Sequence, residues 1–418
     1  MAIHSSTSWL DRLLPAGLRV VHLPSPSEVV YCGIAVHAGT RNERPDEQGL
    51  AHFCEHLTFK GTERRTAMRI INDIEGLGGE LNAFTNKEDT VFYCAIQHQH
   101  LRRALDVLCD IVFHSTYPQP EVERECEVVC DEIESYEDSP AELIYDEFEN
   151  ILFDGHPLGH NILGTAPQVR SYTSADARHF TSQWYRPENC VLFISGGEKG
   201  KVESGERREN SFAIPSDKSD LSPLSPLHSP LSTLPSPQTI VRHRQTHQAH
   251  VMLGTRAYAA NDDRRWALYL LNNILGGPGM NSRLNLSLRE RHGLVYTVES
   301  TMVSYSDTGL WSVYFGCDPD DIDRCLRLVR RELDHLVQRP LSPAQLRAAK
   351  QQLQGQLAIA SDNREQYALD YARTVLHTGH GRTLSDVMTH IERLTADDLL
   401  LTARELFDAA KITTLIYK

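Results

Sequence analysis

The sequence lacks any apolar run approaching the roughly 18 residues that a membrane-spanning helix needs, so it predicts no transmembrane segment. It also lacks an excess of basic residues, because 56 Asp and Glu outweigh 42 Lys and Arg and give a formal net charge of −14. That balance disfavours nucleic acid or an anionic membrane as the partner. Residues 1–14 lack the apolar core behind a basic start that marks a secretory signal. We therefore expect a cytoplasmic protein.

Cysteine is present but lacks the spacing of a structural site. The nine cysteines are an odd number, and they are scattered without a Cys-x-x-Cys pair or zinc-finger spacing. A disulfide framework is therefore not expected, and a reducing compartment is.

Length and composition indicate a soluble globular protein of two or three domains. The chain has 418 residues, of which 40% are hydrophobic and 23% charged. Residues 199–238 are poor in large apolar side chains and rich in Ser and Pro, so they cannot bury enough surface to offset their ordering entropy. We predict an N-terminal domain at residues 1–198, an interdomain linker at 199–240 and a C-terminal domain at 241–418.

Both halves mix strand and helix patterns, which indicates an α+β protein. Alternating or β-branched runs predict strands at Leu18–Leu23, Val29–Val36, Glu80–Thr85, Thr90–Ile96, Val191–Ser195, Val251–Leu253, Leu294–Tyr305, Gly309–Gly316 and Ile412–Tyr417. Helical periodicity predicts helices at Leu50–Phe59, Ala67–Leu77, Leu101–Phe113, Glu121–Tyr136, Pro140–Phe153, Arg264–Leu275, Ser282–Arg291, Ile322–Val337, Pro343–Ile359 and Asp362–Leu376. No clear sequence repeat relates the halves.

The most informative motif is His-x-x-Glu-His at residues 52–56. On a helix, His52 and His56 share one face and can bind one ion, while Glu55 lies on the same side. Zn²⁺ suits two imidazoles and a carboxylate, with one position left open to water. Glu55 would then take a proton from that water. The order is the reverse of the thermolysin-type motif.

This motif requires a third ligand, which we expect to be an acidic residue on a separate helix. The predicted helix at Glu121–Tyr136 offers Glu125 and Glu132, which are seven residues apart and therefore on one face. Spacing alone does not choose between Glu125, Glu132 and neighbours such as Asp131.

The chain resembles the pitrilysin, or M16, family of metallopeptidases, which includes the mitochondrial processing peptidase. The resemblance covers essentially the whole chain except the predicted linker. It rests on Ala-Gly-Thr-Arg-Asn-Glu at 38–43, Gly-Leu-Ala-His-Phe-Cys-Glu-His at 49–56, Phe-Lys-Gly-Thr at 59–62, Gly-Glu-Leu-Asn-Ala-Phe-Thr at 79–85, residues 125–133, Asn-Ser-Arg-Leu at 281–284, Leu-Arg-Glu at 288–290 and Gly-Leu-Val-Tyr at 293–296.

The resemblance implies a role for each matching site residue. It places the third zinc ligand at Glu132 and an assisting acid at Glu125. It makes the strand with Asn82, Ala83 and Phe84 the edge at which substrate binds. It further implies that Arg289 and Tyr296 bind substrate and help to stabilise the transition state, for which a guanidinium and a phenol are suitable donors.

The resemblance also implies the fold and the assembly. We expect two related α/β-sandwich domains of the LuxS/MPP-like metallohydrolase type, joined by the Pro/Ser-rich linker. The expected activity is zinc-dependent hydrolysis of short unfolded peptides in a closed chamber. Because this chain corresponds to half of such a chamber, we expect a homodimer, or a heterodimer with a related subunit, in which each zinc faces Arg289 and Tyr296 of the other subunit.

Two alternatives compete with a peptidase. A non-catalytic or processing-partner subunit of the same family typically loses the histidines or the glutamate, whereas His52, Glu55, His56 and Glu132 are all present here. A lyase that cleaves S-ribosylhomocysteine uses the same reversed motif, but its chains are far shorter, and nothing in its pattern predicts the segment with Arg289 and Tyr296.

Overall fold

The structure is a computed structural model that describes residues 9–197, 238–244 and 246–418. The predicted linker at 199–240 lies outside the described residues except for its last three positions. The described chain divides into two compact units. The first contains residues 9–134, 160–197 and 361–382, and the second contains 135–159, 238–244, 246–360 and 383–418.

The elements are numbered in chain order. Up to residue 197 they are β1 Leu10–Leu13, β2 Arg19–Leu23, β3 Val29–Val36, α1 Leu50–Thr58, α2 Ala67–Ile74, β4 Glu80–Thr85, β5 Thr90–Gln97, α3 Leu101–His114, α4 Gln119–Glu137, α5 Pro140–Leu152, α6 Ala166–Val169, α7 Ser174–Trp184 and β6 Cys190–Ser195. From residue 238 they are β7 Thr239–Arg242, β8 Ala249–Ala257, α8 Arg265–Gly276, β9 Val295–Ser304, β10 Gly309–Cys317, α9 Ile322–Gln338, α10 Pro343–Ala360, α11 Arg364–Thr378, α12 Leu384–Arg393, α13 Ala396–Leu406 and β11 Thr413–Tyr417.

The first unit is built on a six-stranded sheet with the order β1-β2-β6-β3-β5-β4. Only the β2–β6 pairing in it is parallel. Helices α1 and α3 pack on one face, where Ile34 and Phe92 of the sheet meet Phe53 and Leu57 of α1 in a fully buried cluster. Burying each such side chain contributes about 1.5–3 kcal/mol. This packing fixes α1 against the sheet.

The second unit repeats this strand path although the two halves share no clear sequence repeat. Its five strands run β7-β11-β8-β10-β9, which matches the first sheet without β1. The β7–β11 pair is parallel, as the β2–β6 pair is, and the remaining pairs are antiparallel. Helix α8 lies in the chain between β8 and β9, as α1 lies between β3 and β4. Strands β4 and β9 are the corresponding edges of the two sheets.

Each unit includes one helix from the other half of the chain. Helix α11 packs its Leu369 and Ala372 against Val21 and Phe193 of the first sheet. Helix α5 packs its Phe148, with its neighbours, on the second sheet. The units therefore differ from the contiguous domains predicted above in two segments, 135–159 and 361–382.

Local structure departs from the predictions in a few places. The stretch predicted as the helix Ser282–Arg291 is a π-helix over Asn285–Glu290, and Glu75–Leu77 ends the second helix as a 3₁₀ turn. The predicted strand Val251–Leu253 is the centre of the longer β8. Strand β1 and helices α7, α12 and α13 were not predicted. In each of these helices a threonine before the first turn and an aspartate three residues later form a capping box, a readable start signal.

Two further observations bear on the sequence analysis. Within the described parts of the chain, no helix combines the length and the apolar character needed to cross a bilayer. All nine cysteines are free thiols in buried positions.

Candidate metal centre

A buried carboxylate fixes the start of helix α1. Gly49 precedes the helix with φ 89°, a left-handed value that favours glycine, and a Cβ there would lie 2.6 Å from the Leu163 carbonyl oxygen. Glu43 accepts hydrogen bonds from the backbone N–H groups of Gly49 (3.0 Å) and Ala51 (2.7 Å). Its Oε2 also lies 2.9 Å from His160 Nε2. The helix is thereby capped by a distant side chain rather than by its own N-cap residue.

The spacing of α1 separates its core face from its polar face. Leu50, Phe53 and Leu57 are fully buried. His52 and His56 lie one turn apart, and their ring centroids are separated by 4.6 Å. The helix therefore presents both imidazoles together, as the motif predicts.

Helix α4 supplies the carboxylate that meets them. Glu132 Oε1 lies 3.8 Å from His52 Nε2, and Glu132 Oε2 lies 3.4 Å from His56 Nε2. One ligand atom from each of the three residues falls within 4.8 Å of the others, and among the described residues this is the one such group. Of the candidates left open by spacing, the geometry brings Glu132 to the histidines and leaves Asp131 outside the group.

Glu125 contacts the Nδ1 side of the His56 ring, opposite the Nε2 atom that faces Glu132. Its Oε1 is 3.0 Å from His56 Nδ1, and its Oε2 is 2.6 Å from Lys60 Nζ. With Nδ1–H as the donor, Nε2 keeps its lone pair for a cation. Glu125 thus orients a ligand, an arrangement that commonly raises the affinity of metal sites.

Glu55 is buried beside the same group and is held by the edge strand. The Thr85 hydroxyl at the end of β4 donates to Glu55 Oε2 at 2.6 Å. Burial raises the pKa of Glu55, and the Thr85 bond offsets part of that shift. A carboxylate with one oxygen fixed and a raised pKa is suited to accept and return a proton near neutral pH.

The electrostatics of the group favour a cation. Burial opposes protonation of His56, but its bonds to Glu125 and Glu132 outweigh this and raise its pKa to about 9. The bond to His56 lowers the pKa of Glu132 in spite of partial burial. The carboxylates that stabilise a proton here would equally stabilise a divalent ion.

The donor set fits zinc. Two imidazoles and one carboxylate match the ligands of catalytic Zn²⁺ sites, in which the fourth position stays open. The His52 ring is buried and its Nδ1 has no hydrogen-bond partner. Glu132 is the most exposed of the three, with 44% of its side chain accessible, so the group opens to solvent on that side.

The remaining predicted residues lie on the edge strands β4 and β9 and, for Arg289, on the π-helical segment Asn285–Glu290. Asn82, Ala83 and Phe84 belong to β4, the edge strand of the first sheet. Arg289 and Tyr296 line one cavity in the second unit, and Tyr296 is 89% exposed. The structure therefore brings this pair together on one surface.

Sequence reasoning missed three residues that support the centre: Glu43, Lys60 and Thr85. Thr85 lies in the predicted edge strand, and Lys60 follows His56 by four residues, two positions after α1 ends, so both were within reach of spacing arguments. Glu43 caps the start of α1 from the other end of a loop, and no local sequence pattern predicts a cap of that kind.

Comparison with known proteins identifies the family. The family model described as Insulinase (Peptidase family M16) matches residues 19–166, and the model described as Peptidase M16 inactive domain matches residues 171–353. The chain belongs to the M16 peptidase family.

Its relatives include two bacterial proteins, each named an uncharacterized zinc protease. The one from Streptomyces coelicolor is 35% identical, with 94% of this chain and 86% of the relative covered. The one from Bacillus subtilis is 30% identical, with 94% of each covered. The two-domain fold is shared with solved structures. A protease from Helicobacter pylori has a TM-score of 0.89 at 22% identity, with 99% of both chains covered. A peptidase M16 inactive domain from Pseudomonas fluorescens has a TM-score of 0.85 at 19% identity, with 98% of this chain and 97% of that one covered.

Proposed function

We propose that this protein is a zinc-dependent endopeptidase that hydrolyses short unfolded peptides. The observation that carries the proposal is the convergence of His52, His56 and Glu132 within 4.8 Å, with Glu55 buried beside them. The names of the bacterial relatives support the same activity.

His52, His56 and Glu132 would hold the ion. Zinc, when bound, lowers the pKa of water to about 7 and polarises a carbonyl group. Glu55 accepts the proton of the attacking water and returns it to the leaving amine, and Thr85 keeps its carboxylate oriented. Glu125, held by Lys60, keeps the His56 ring in place.

The substrate would bind as an added strand. Strand β4 is an exposed edge, so an extended peptide can pair with the main chain of Asn82, Ala83 and Phe84. Main-chain pairing makes little demand on sequence, which suits a peptidase of broad specificity. Glu55 accepts its hydrogen bond from the last residue of this strand, so a peptide bound there lies beside the general base.

The assembly remains a proposal based on the family resemblance. Two copies would enclose a chamber, and Arg289 and Tyr296 of the second copy would meet the developing oxyanion at each zinc. A heterodimer with a related subunit would supply the same pair. The cytoplasm stays the predicted location.

The test is Glu55→Gln in the full-length protein, with Glu63→Gln on the exposed surface as the matched control. Zinc content and cleavage of an unstructured fluorogenic peptide are measured together. We expect Glu55→Gln to keep its zinc and lose turnover by about 10²–10⁴-fold, while the control retains both. Turnover at the wild-type rate in Glu55→Gln would contradict the assignment of the base. Zinc binding without turnover in the wild type would favour a non-catalytic relative.

A further inference from the structure

A cavity of about 660 Å³ lies within the second unit, where α9 ends and α10 begins. Its volume falls within the range of about 300–1,000 Å³ that is usual for ligand sites. Neither Arg289 nor Tyr296 lines it, so it is a different cavity from the one that this pair lines. The mechanism proposed above gives none of its lining residues a role.

The charged side chains of this cavity are mostly basic. Three guanidinium groups and one carboxylate line it, those of Arg283, Arg291, Arg339 and Glu332. With His335 counted as neutral, three positive charges against one negative leave a net charge of +2. The whole chain has a formal net charge of −14, so the cavity is opposite in sign to the protein around it. Such a local concentration of basic groups attracts anions.

Arg283 is the least exposed of the three arginines, because it is half-buried while Arg291 and Arg339 are exposed. Among the described residues, none accepts a hydrogen bond from its guanidinium or forms an ion pair with it. Burial lowers the pKa of Arg283, and the charge of Glu332 offsets part of that shift. A half-buried guanidinium therefore offers its N–H donors to the cavity with little water to satisfy them.

The one carboxylate of the lining is shared with a cation that lies outside it. Glu332 Oε1 is 3.7 Å from Arg331 Nη2, and Glu332 Oε2 is 3.6 Å from His335 Nδ1. Arg331 is not a lining residue. Within the described chain, Arg291 and Arg339 have no carboxylate partner. The basic groups of the cavity are therefore available to a ligand.

The start of α10 adds to the positive potential of the cavity. Leu341 and Gln345 line it on either side of the first helical residue, Pro343. The Ser342 N–H donates to Gln345 Oε1 at 2.9 Å, and the Gln345 N–H donates to Ser342 Oγ at 3.3 Å, which fixes this helix end. The N-terminal end of a helix carries a partial positive charge. The helix and the arginines thus favour the same sign of ligand.

The rest of the wall includes apolar side chains, those of Leu286, Pro340 and Leu341. A bare inorganic ion has no use for such a wall, and the cavity has room for a larger molecule. The lining therefore suits an anion that carries an organic body.

We propose that this cavity binds a small phosphate monoester, whose phosphate group is held by the lining arginines and whose body packs against Leu286 and Pro340. A phosphate monoester carries a charge of about −1.5 to −2 at pH 7, which matches the net charge of the lining. Guanidinium groups bind phosphate oxygens through paired N–H bonds. The proposal does not depend on the proposed function, because it uses neither the metal ligands nor Arg289.

The experiment titrates the full-length protein with phenyl phosphate in a calorimeter. Inorganic phosphate and phenol, which each supply one part of the probe, are titrated in parallel. We expect one saturable site per chain for phenyl phosphate, weaker binding of inorganic phosphate, and no binding of phenol at the same concentrations. Hydrogen exchange of residues 338–346 locates the site, and we expect protection there on addition of phenyl phosphate.

The decisive variant is Arg283→Gln, which removes the charge of a side chain without a protein partner. It should weaken phenyl phosphate binding by about 10- to 100-fold, the size of a hydrogen bond to a charged group. Arg339→Gln should weaken binding by about 2- to 10-fold, because that side chain is exposed. Its exposed position also keeps the test valid if Arg283→Gln lowers stability.

Two controls make the same change of charge elsewhere. Arg347→Gln lies at an exposed position of α10 outside the lining, and Arg289→Gln lies in the other cavity of the second unit. Both should bind phenyl phosphate as the wild type does. The double variant His52→Ala, His56→Ala should also bind it unchanged, which separates the site from the metal centre.

Three outcomes overturn the proposal. The first is the absence of saturable phenyl phosphate binding by the wild type. The second is binding that both Arg283→Gln and Arg339→Gln leave unchanged. The third is binding that a control or the double variant weakens as much as Arg283→Gln does, because the probe would then respond to overall charge or bind at one of the other sites.

Discussion

The metal centre of the first unit and the cavity of the second that Arg289 and Tyr296 line share a framework but differ in chemistry. In both, a helix lies beside the edge strand of a sheet, and the two sheets have the same strand order apart from the additional β1 of the first. In both, a hydroxyl of that edge strand donates a hydrogen bond to a polar side chain of the helix. In the first unit the helix presents two imidazoles and a carboxylate, and in the second it presents the amides of Asn272 and Asn273. The fold therefore supplies a position, while the side chains decide whether that position binds a metal.

The largest expected effect comes from making the first unit more like the second. His56→Asn replaces a ligand by the amide that α8 carries at the corresponding spacing. We expect loss of bound zinc and of peptide hydrolysis down to background, because two ligands remain where three are required. Metal analysis and peptide turnover check this. His179→Asn, an exposed position on α7, is the control and should change neither.

A smaller effect is expected where a residue only orients a ligand. Glu125→Gln removes the charge that holds the His56 ring and pairs with Lys60. Zinc affinity should fall by about 10- to 100-fold, with the fold retained. Titration with a competing chelator measures it. An unchanged zinc affinity would contradict a role of Glu125 in orienting His56 and would leave only its ion pair with Lys60.

The smallest effect concerns helix α11, which packs on the sheet of the first unit. The buried carboxylate of Asp89 accepts hydrogen bonds from Arg373 Nε on both oxygens, and its Oδ2 lies 2.7 Å from His377 Nε2. These contacts hold α11 to the turn between β4 and β5. Burial by itself would raise the pKa of Asp89, but the bond to His377 and the charge of Arg373 outweigh it and lower that pKa to about 2. Because the pKa is depressed in the folded protein, the stabilisation is complete above the unfolded pKa of about 4 and is lost as the pH falls towards 2.

This predicts that Asp89→Asn lowers the free energy of unfolding by about 2 kcal/mol at pH 7, and that the difference from wild type shrinks as the pH falls to 2. Chemical denaturation over that pH range measures it. Asp362→Asn, an exposed acid just before α11, should match the wild type throughout. A difference that does not depend on pH would contradict the electrostatic origin.

The sequence predicted best the parts of the fold that depend on local pattern. The bounds of β3 and β4 were predicted without error, and α1 to within one residue, because alternation or helical periodicity runs through each. The ligand histidines followed from their spacing on α1. The choice of Glu132 over Glu125 and Asp131 required the resemblance, since all three lie on one helix near the right place.

Other features could not be predicted because they arise from contacts between distant segments. The order of elements along the chain does not show that α5 packs in the second unit and α11 in the first. The similar arrangement of Asn272 and Ser300 in the second unit could not be recognised from the sequence, because these residues differ in type from Glu55 and Thr85 in the first. The cap formed by Glu43 on α1 likewise spans a loop that no periodicity describes.

The most direct measurement of the central claim is the zinc affinity of three proteins: the wild type, Glu132→Gln and Asp131→Asn. The account predicts one zinc per chain in the wild type, affinity at least about 100-fold weaker in Glu132→Gln, and no change in Asp131→Asn, whose carboxylate lies outside the ligand group. Zinc held as tightly by Glu132→Gln as by the wild type would contradict it.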